Sequence, residues 1–296
     1  MTSIEARAPI ALQNILLATD FSSASDRALE YALGIARRYD SRVFVTHVIR
    51  PDAYQLVPPE AMTAAVENAQ RYAEQEIANL LISGRLRDVQ HQVLLSRGSV
   101  WPVLSDLIRE HSADLVVVGT HGRTGIRKLL LGSAAEEIFR LATVPVLTVG
   151  PRAAEHPPKQ AHLKQILLAV DLTPISERAA AYAISLAQEH QARLTLLHVV
   201  RDAAESTPQN EALLKEYFIR RLQAMIPQEA ELWCEAEFAV EFGDAADNIL
   251  RMAGDRQADL IVLGVRRTAE FAGHLPPATA YKVVCQAQCP VLTVRG

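Results

Sequence analysis

Gly119, Gly122, Gly132 and Ser133 set out the pattern G-x2-G-x9-G-S, directly after the apolar run Leu115-Val116-Val117-Val118 and directly before a helical stretch, Ala134 to Leu141. Glycine admits positive φ and lets main-chain N–H groups approach a ligand closely. A hydroxyl such as that of Ser133 can cap a helix whose free N–H groups and positive dipole end attract anions. The chemistry open to these residues is the cradling of phosphate. Their spacing excludes the commoner nucleotide loops: Gly122 to Lys128 reads GRTGIRK, with Arg127 and Leu129 where a P-loop needs a glycine and a Ser/Thr. Nor does G-x-G-x-x-G follow the first apolar run. The bland alternative is a glycine-rich connection of ordinary length.

Two further clusters carry chemistry. Ala18-Thr19-Asp20 ends the first apolar run, where the Asp20 carboxylate can accept ribose hydroxyls or hold a metal on phosphates. Its alternative role is to cap the next helix, which Ser22 or Ser23 can also do. Val48, near the end of the second run, can offer its main-chain N–H and C=O to an adenine edge, with Ala18 and Val118 as apolar walls. Arg123, beside Gly122, brings positive charge to the anion, whereas Arg127 and Lys128 read as surface charges and His121 as solvent-facing. His47 and His198, set among apolar neighbours, read as hydrogen-bonded structural histidines. No Ser/His/Asp, Cys/His or metal-ligand spacing is present, so no catalytic residue and no metal ligand is assigned.

The elements that must position these residues alternate. Short β-branched runs predict strands near 14–19, 42–49, 91–96, 115–119 and 145–149, and helical periodicity predicts helices near 23–39, 60–83, 100–111 and 133–141. Ala28, Leu29, Ala32, Leu33 and Ala36 form the packed stripe of the first helix, with Asp26, Arg27 and Glu30 on a solvated face. The second helix is mostly surface with a narrow apolar seam, and Pro102 falls in the first turn of the third. Alternation of this kind builds an α/β fold, a doubly wound parallel sheet with right-handed connections. Its ligands sit beyond the carboxyl ends of the strands, where all three clusters fall.

The chain contains this arrangement twice. Residues 14–50 return as 165–201, so that Asp20, Arg27 and His47 recur as Asp171, Arg178 and His198. Farther on, Ala113-Asp114-Leu115 recurs as Ala258-Asp259-Leu260, and Val144 to Val149 as Cys289 to Val294. Two domains follow, residues 1–150 and 165–296, with an exposed, proline-containing linker over 151–164. The second copy departs from the glycine pattern: Gly264 matches Gly119, but Arg267, Pro277 and Ala278 stand for Gly122, Gly132 and Ser133. Proline has no N–H to offer a phosphate and a Cβ hinders close approach. The second copy is therefore expected to bind nucleotide poorly, while Asp171, Arg266 and Arg267 leave room for another anion.

A net charge of −4 over 296 residues, with both signs scattered, gives no field for nucleic acid or an acidic membrane. The opening residues lack a signal-peptide pattern and no apolar run is long enough to span a bilayer, so a cytoplasmic protein is expected. Three cysteines, Cys234, Cys285 and Cys289, read as buried thiols.

The ordered set ILLATDFS, THV, VVVGTHGRTGIRKLLLGSAAEEI and VPVLTV resembles the universal stress protein family in its tandem form, over nearly the whole chain. The resemblance implies five-stranded domains of the flavodoxin-like, adenine nucleotide alpha hydrolase-like kind, and ATP binding in the first. It implies adenine near Ala18 and Val48, ribose near Asp20 and Gly119, and phosphates at Gly122, Arg123, Gly132 and Ser133, with Mg²⁺. It also implies pairing of the closing strands, Val146–Val149 and Val291–Val294, so that the chain forms a pseudo-dimer within itself, beside a possible homodimer and a protein partner that the sequence does not name. The function expected is nucleotide-dependent regulation or protection in the stress response. Against it stand a slow ATPase or autophosphorylating phosphotransferase using Asp20 and Mg²⁺, and a nucleotide-free interaction scaffold.

Overall fold

The computed structural model describes residues 10, 12–51, 58–120, 131–153, 162–201, 207–227, 235–266 and 278–295. The chain divides into two compact units, one built on Ala11–Pro151 and the other on His162–Gly296, to which Ile10, Arg152 and Ala153 also belong.

In the first unit the elements run β1 (Asn14–Ala18), α1 (Ser23–Tyr39), β2 (Arg42–Ile49), α2 (Pro59–Ile82), β3 (His91–Arg97), α3 (Val100–Glu110), β4 (Leu115–Gly119), α4 (Ser133–Leu141) and β5 (Val146–Val149). The strands lie in the order β3-β2-β1-β4-β5. Every pair is parallel, Ala18 standing opposite Thr46 on one side and Val118 on the other. Ile15, Leu16 and Leu17 are wholly buried although successive side chains face opposite ways, because helices cover both faces of a parallel sheet. Right-handed crossovers put α1 and α2 on one face, α3 and α4 on the other. The stripe of α1 packs as its spacing predicts, with Ala28, Ala32 and Leu33 fully buried, whereas Ala73 is the one fully buried side chain among the described side chains of α2.

The second unit repeats the plan: β6 (Gln165–Ala169), α5 (Pro174–His190), β7 (Arg193–Val200), α6 (Pro208–Gln223), β8 (Ala236–Phe242), α7 (Ala245–Asp255), β9 (Leu260–Val265), α8 (Ala278–Gln286) and β10 (Val291–Arg295), in the order β8-β7-β6-β9-β10. The residues common to both copies explain themselves structurally. Asp114 Oδ2 accepts from the N–H groups of Gln13 (2.8 Å) and Asn14 (3.2 Å), and Asp259 Oδ2 from Lys164 (2.7 Å) and Gln165 (2.9 Å). Each aspartate thus clamps the first strand of its unit to the fourth. Gly98 and Gly243, at φ 140° and 109°, turn the chain after β3 and β8 in a region that favours glycine, just before α3 and α7.

Asp26 is exposed and Glu30 half-buried, on the outward face expected for them, and both are also held there by Arg85, from the turn after α2, at 2.5 Å each. Burial lowers the Arg85 guanidinium, but hydrogen bonds and charge from the two carboxylates outweigh it and leave its pKa raised. Arg27 Nε is buried with no hydrogen-bond partner among the described residues. Among those residues, no helix is long and apolar enough to cross a membrane.

Candidate functional site

Four chain segments converge at the carboxyl end of the first unit's sheet. The first is the turn after β1. Phe21 adopts φ 60°, a left-handed conformation uncommon for a bulky residue, and this aims Asp20 back at the start of α1. Asp20 Oδ1 accepts from Ser25 Oγ (2.5 Å) and from the Ser22 N–H (3.0 Å), while the Asp20 N–H donates to Ser25 Oγ (3.3 Å). The cap of α1 is Ser22, whose hydroxyl accepts from the Ser25 N–H, so Asp20 braces the turn and leaves the capping to its neighbour. The second unit repeats the device: Leu172 has φ 60°, and Asp171 accepts from the Thr173 N–H (3.1 Å) and from the hydroxyls of Thr173 (2.6 Å) and Ser176. Burial raises the Asp171 carboxyl, but those hydrogen bonds and the charge of Arg266 overcome it and hold its pKa below the ordinary 3.8.

The second segment is the end of β2. Thr46 C=O faces β1 and accepts from the Thr19 N–H (2.9 Å), whereas Ile49 C=O faces β3 and accepts from the Gly98 N–H (3.0 Å). Successive residues turn to opposite neighbours, so the N–H and C=O of Val48 face the β1 side, beyond the level at which β1 ends opposite Thr46. His47 Nδ1 lies 2.8 Å from the Thr19 carbonyl oxygen, as His198 Nδ1 does from that of Val170. The pair of histidines fastens the second strand of each unit to the end of the first, the structural role their surroundings predict.

The third segment, the end of β4, corrects one expectation. Gly119 is a strand residue without positive φ, and a Cβ on it would lie 2.7 Å from the Ala24 main chain and 2.9 Å from the Ser25 nitrogen. It is glycine because α1 crosses β4 there. In the second unit a Cβ on Gly264 would meet Ile175 at 3.1 Å, so the same packing reason survives in a copy without the other glycines.

The fourth segment corrects another. Gly132, not Ser133, occupies the N-cap position of α4, with φ −62° and no side-chain cap, and Ser133 is the first helical residue. The Gly132 N–H donates to the Thr120 C=O (2.7 Å), which ties the start of α4 to the end of β4. The first-turn N–H groups of α4, from Ser133 onward, have no partner within the helix, as at every helix start, and could meet an anion. The Ser133 hydroxyl accepts from Arg50 Nη1 (3.2 Å), two residues beyond Val48.

Ala18, Thr19, Asp20, Val48, Gly119, Gly132 and Ser133 therefore lie on segments gathered at one sheet end. Gly122, Arg123, His121, Arg127 and Lys128 fall outside the described residues, as do Arg267 and Pro277. Sequence reasoning passed over Ser25 and Arg50, although both recur in the second copy as Ser176 and Arg201. A separate cleft of about 310 Å³ between α1 and α2 takes in Thr19, Ser22, Asp26, Glu76 and Arg85 but not Val48, Gly119, Gly132 or Ser133. Among the described residues no three carboxylate, histidine or cysteine side chains gather as a metal site.

The sequence profile of the Universal stress protein family matches residues 11–150 and again 162–295. The chain belongs to that family. A universal stress protein of Mycolicibacterium smegmatis is 28% identical over 295 residues, covering 95% of this chain and 96% of that one. One from Thermus aquaticus is 36% identical over 139 residues, 45% of this chain and 98% of its own. The crystal structure of a universal stress protein from Archaeoglobus fulgidus shares the fold with a TM-score of 0.68 at 19% identity, covering 97% of this chain and 99% of that one. Tandem universal stress protein domains, each a flavodoxin-like parallel sheet, account for residues 11–150 and 162–295.

Proposed function

We propose that the first unit binds ATP at the carboxyl end of its sheet and acts as a nucleotide-dependent regulator or protectant in the stress response. The observation that carries this reading is the convergence of three differently suited groups at one end of the sheet. The Val48 main chain is an edge for adenine, Asp20 a braced carboxylate for ribose, and the first turn of α4 at Ser133 an anion seat. The complete G-x2-G-x9-G-S pattern supports it, with Gly122 and Arg123 completing the phosphate cradle. Mg²⁺ enters with the nucleotide, since phosphates supply most of the oxygens it needs.

Binding is favoured over turnover because the nearest ionisable groups are engaged in holding the fold. Asp20 Oδ1 is bonded to Ser25 and Ser22, and His47 Nδ1 to the Thr19 carbonyl, whereas phosphoryl transfer needs a group that orients the nucleophile. ATP then serves as a ligand whose occupancy biases what the protein presents to a partner. The second unit, with Arg267, Pro277 and Ala278 in place of the motif, is silent toward ATP.

Calorimetric titration of nucleotide-stripped protein with Mg-ATP tests this, beside a Gly122→Arg, Gly132→Pro variant that copies the second unit. One equivalent bound by wild type and none by the variant is expected. Two equivalents would overturn the asymmetry, and none would leave the scaffold reading in its place.

A further inference from the structure

The cleft between α1 and α2 owes its existence to the way α2 packs. Among the described side chains of this helix only Ala73, a small one, is fully buried, so its last turns leave room above the sheet. The space amounts to about 310 Å³, at the small end of the range for ligand pockets. It reaches down to Leu17, Leu29 and Val45, and Leu80 of α2 forms part of its wall. The floor is therefore apolar, while the rim carries charge.

That charge does not balance. Asp26, Glu76 and Arg85 are the charged side chains that line the cleft. Arg85 is shared between Asp26 and Glu30, at 2.5 Å each, and Arg37 reaches only the Arg85 carbonyl oxygen (3.1 Å). Glu76 is half-buried and has no hydrogen bond or ion pair among the described residues. A carboxylate partly withdrawn from water gains most from a cation brought to it. The helix adds to this demand: α2 ends against the same space at Asn79, Leu80 and Ser83, with no basic residue in its last turn to meet the negative end of its dipole. The positive end of α1, also on the rim, is already capped by Ser22 and faced by Asp26.

We propose that this cleft is a ligand site of its own, one that takes a small organic ammonium. The carbon body rests on Leu17, Val45 and Leu80, and the ammonium group donates to Glu76 and to the carbonyl end of α2. An ammonium carries donors and no acceptor, which suits a rim with more carboxylate than cation, and its body displaces water from the apolar floor. A bare metal ion would leave that floor unused, and an anion would meet Glu76. The site does not depend on the nucleotide reading. It shares Thr19 and Ser22 with the turn that braces Asp20, but none of Val48, Gly119, Gly132 or Ser133.

The test is a titration of the full chain, labelled at leucine and valine methyl groups, with phenethylammonium, followed by NMR. The neutral 2-phenylethanol and the anionic 3-phenylpropionate serve as matched probes. Saturable shifts at Leu17, Val45 and Leu80 with the ammonium, and not with the other two, are expected. Glu76→Gln should weaken the ammonium by about tenfold, whereas Glu67→Gln, on the exposed surface of the same helix, should leave it unchanged; thermal melting checks that both fold. No saturable shift at these methyl groups would overturn the proposal. So would equal binding of the alcohol, which marks an unselective apolar crevice, or equal losses in both variants, which mark a response to overall charge.

Discussion

Gly119 is the residue at which a functional and a packing reason for glycine are most easily confused. The space a Cβ would need is filled by Ala24 and Ser25 main chain at 2.7–2.9 Å, whereas at Gly264 the nearest atoms stand at 3.1 Å. Main chain cannot step aside as a flexible side chain does, so overpacking of this kind costs about 1–3 kcal/mol. Gly119→Ala is expected to lower the first unit's unfolding midpoint clearly, and Gly264→Ala to lower the second's by less, as read by thermal melting. Equal, negligible shifts would mean that α1 can withdraw from β4. Loss of ATP binding in Gly119→Ala would for the same reason say little about phosphate contacts. Asp20 invites the same caution: its bonds to Ser22 and Ser25 hold the Phe21 turn, so Asp20→Ala disturbs the entry to α1 as well as any ligand.

At the scale of elements, the two aspartates that secure strand ends have opposite linkage to pH. Burial raises the Asp114 carboxyl above its ordinary 3.8, and the N–H groups of Gln13 and Asn14 offset only part of the shift. The stability linked to it is present at low pH and fades as pH rises through the raised value. Asp171, held low by Ser176, Thr173 and Arg266 despite burial, contributes above its ordinary value and loses that contribution as pH falls through the lowered one. Melting curves across the acid range should therefore show Asp114→Asn gaining on wild type as pH rises and Asp171→Asn losing ground. Both substitutions shifting in one direction would contradict this assignment. Asp114→Ala, which drops two hydrogen bonds, should cost about 1–3 kcal/mol. The elements were legible in the sequence because strands buried on both faces are plain apolar runs and the helices carry clean stripes: β2 and α1 begin and end where the pattern puts them. What escaped were contacts between distant residues. Nothing local in Asp26 and Glu30 announces Arg85, more than fifty positions on, and nothing in Arg50 announces Ser133. Similarly, a glycine at a strand end signals a ligand or a crossing helix alike. The one usable signal was the repetition itself, since Ser25, Arg50 and Asp114 all return in the second copy.

Over the whole molecule, all three cysteines fall in the second half of the sequence. Cys285 in α8 and Cys289 before β10 are both buried, and burial, helped by the charge of Asp259, pushes the Cys289 thiol up to about 12. Only a thiolate reacts readily with an alkylating agent, so modification of these two sites waits on opening of the second unit. Evolution has thereby left a label that reads one half of the protein and is blind to the other. Saturating Mg-ATP at a hundredfold excess over Kd should stabilise the unit that binds it by about 2.7 kcal/mol. Followed by peptide mass spectrometry, alkylation of Cys285 and Cys289 should then keep the same rate with and without ATP, while the first unit's melting moves upward. If the two thiols became protected, the second domain would have to be counted among the places where nucleotide acts. The cysteines would then report communication between the halves instead of the independence of one.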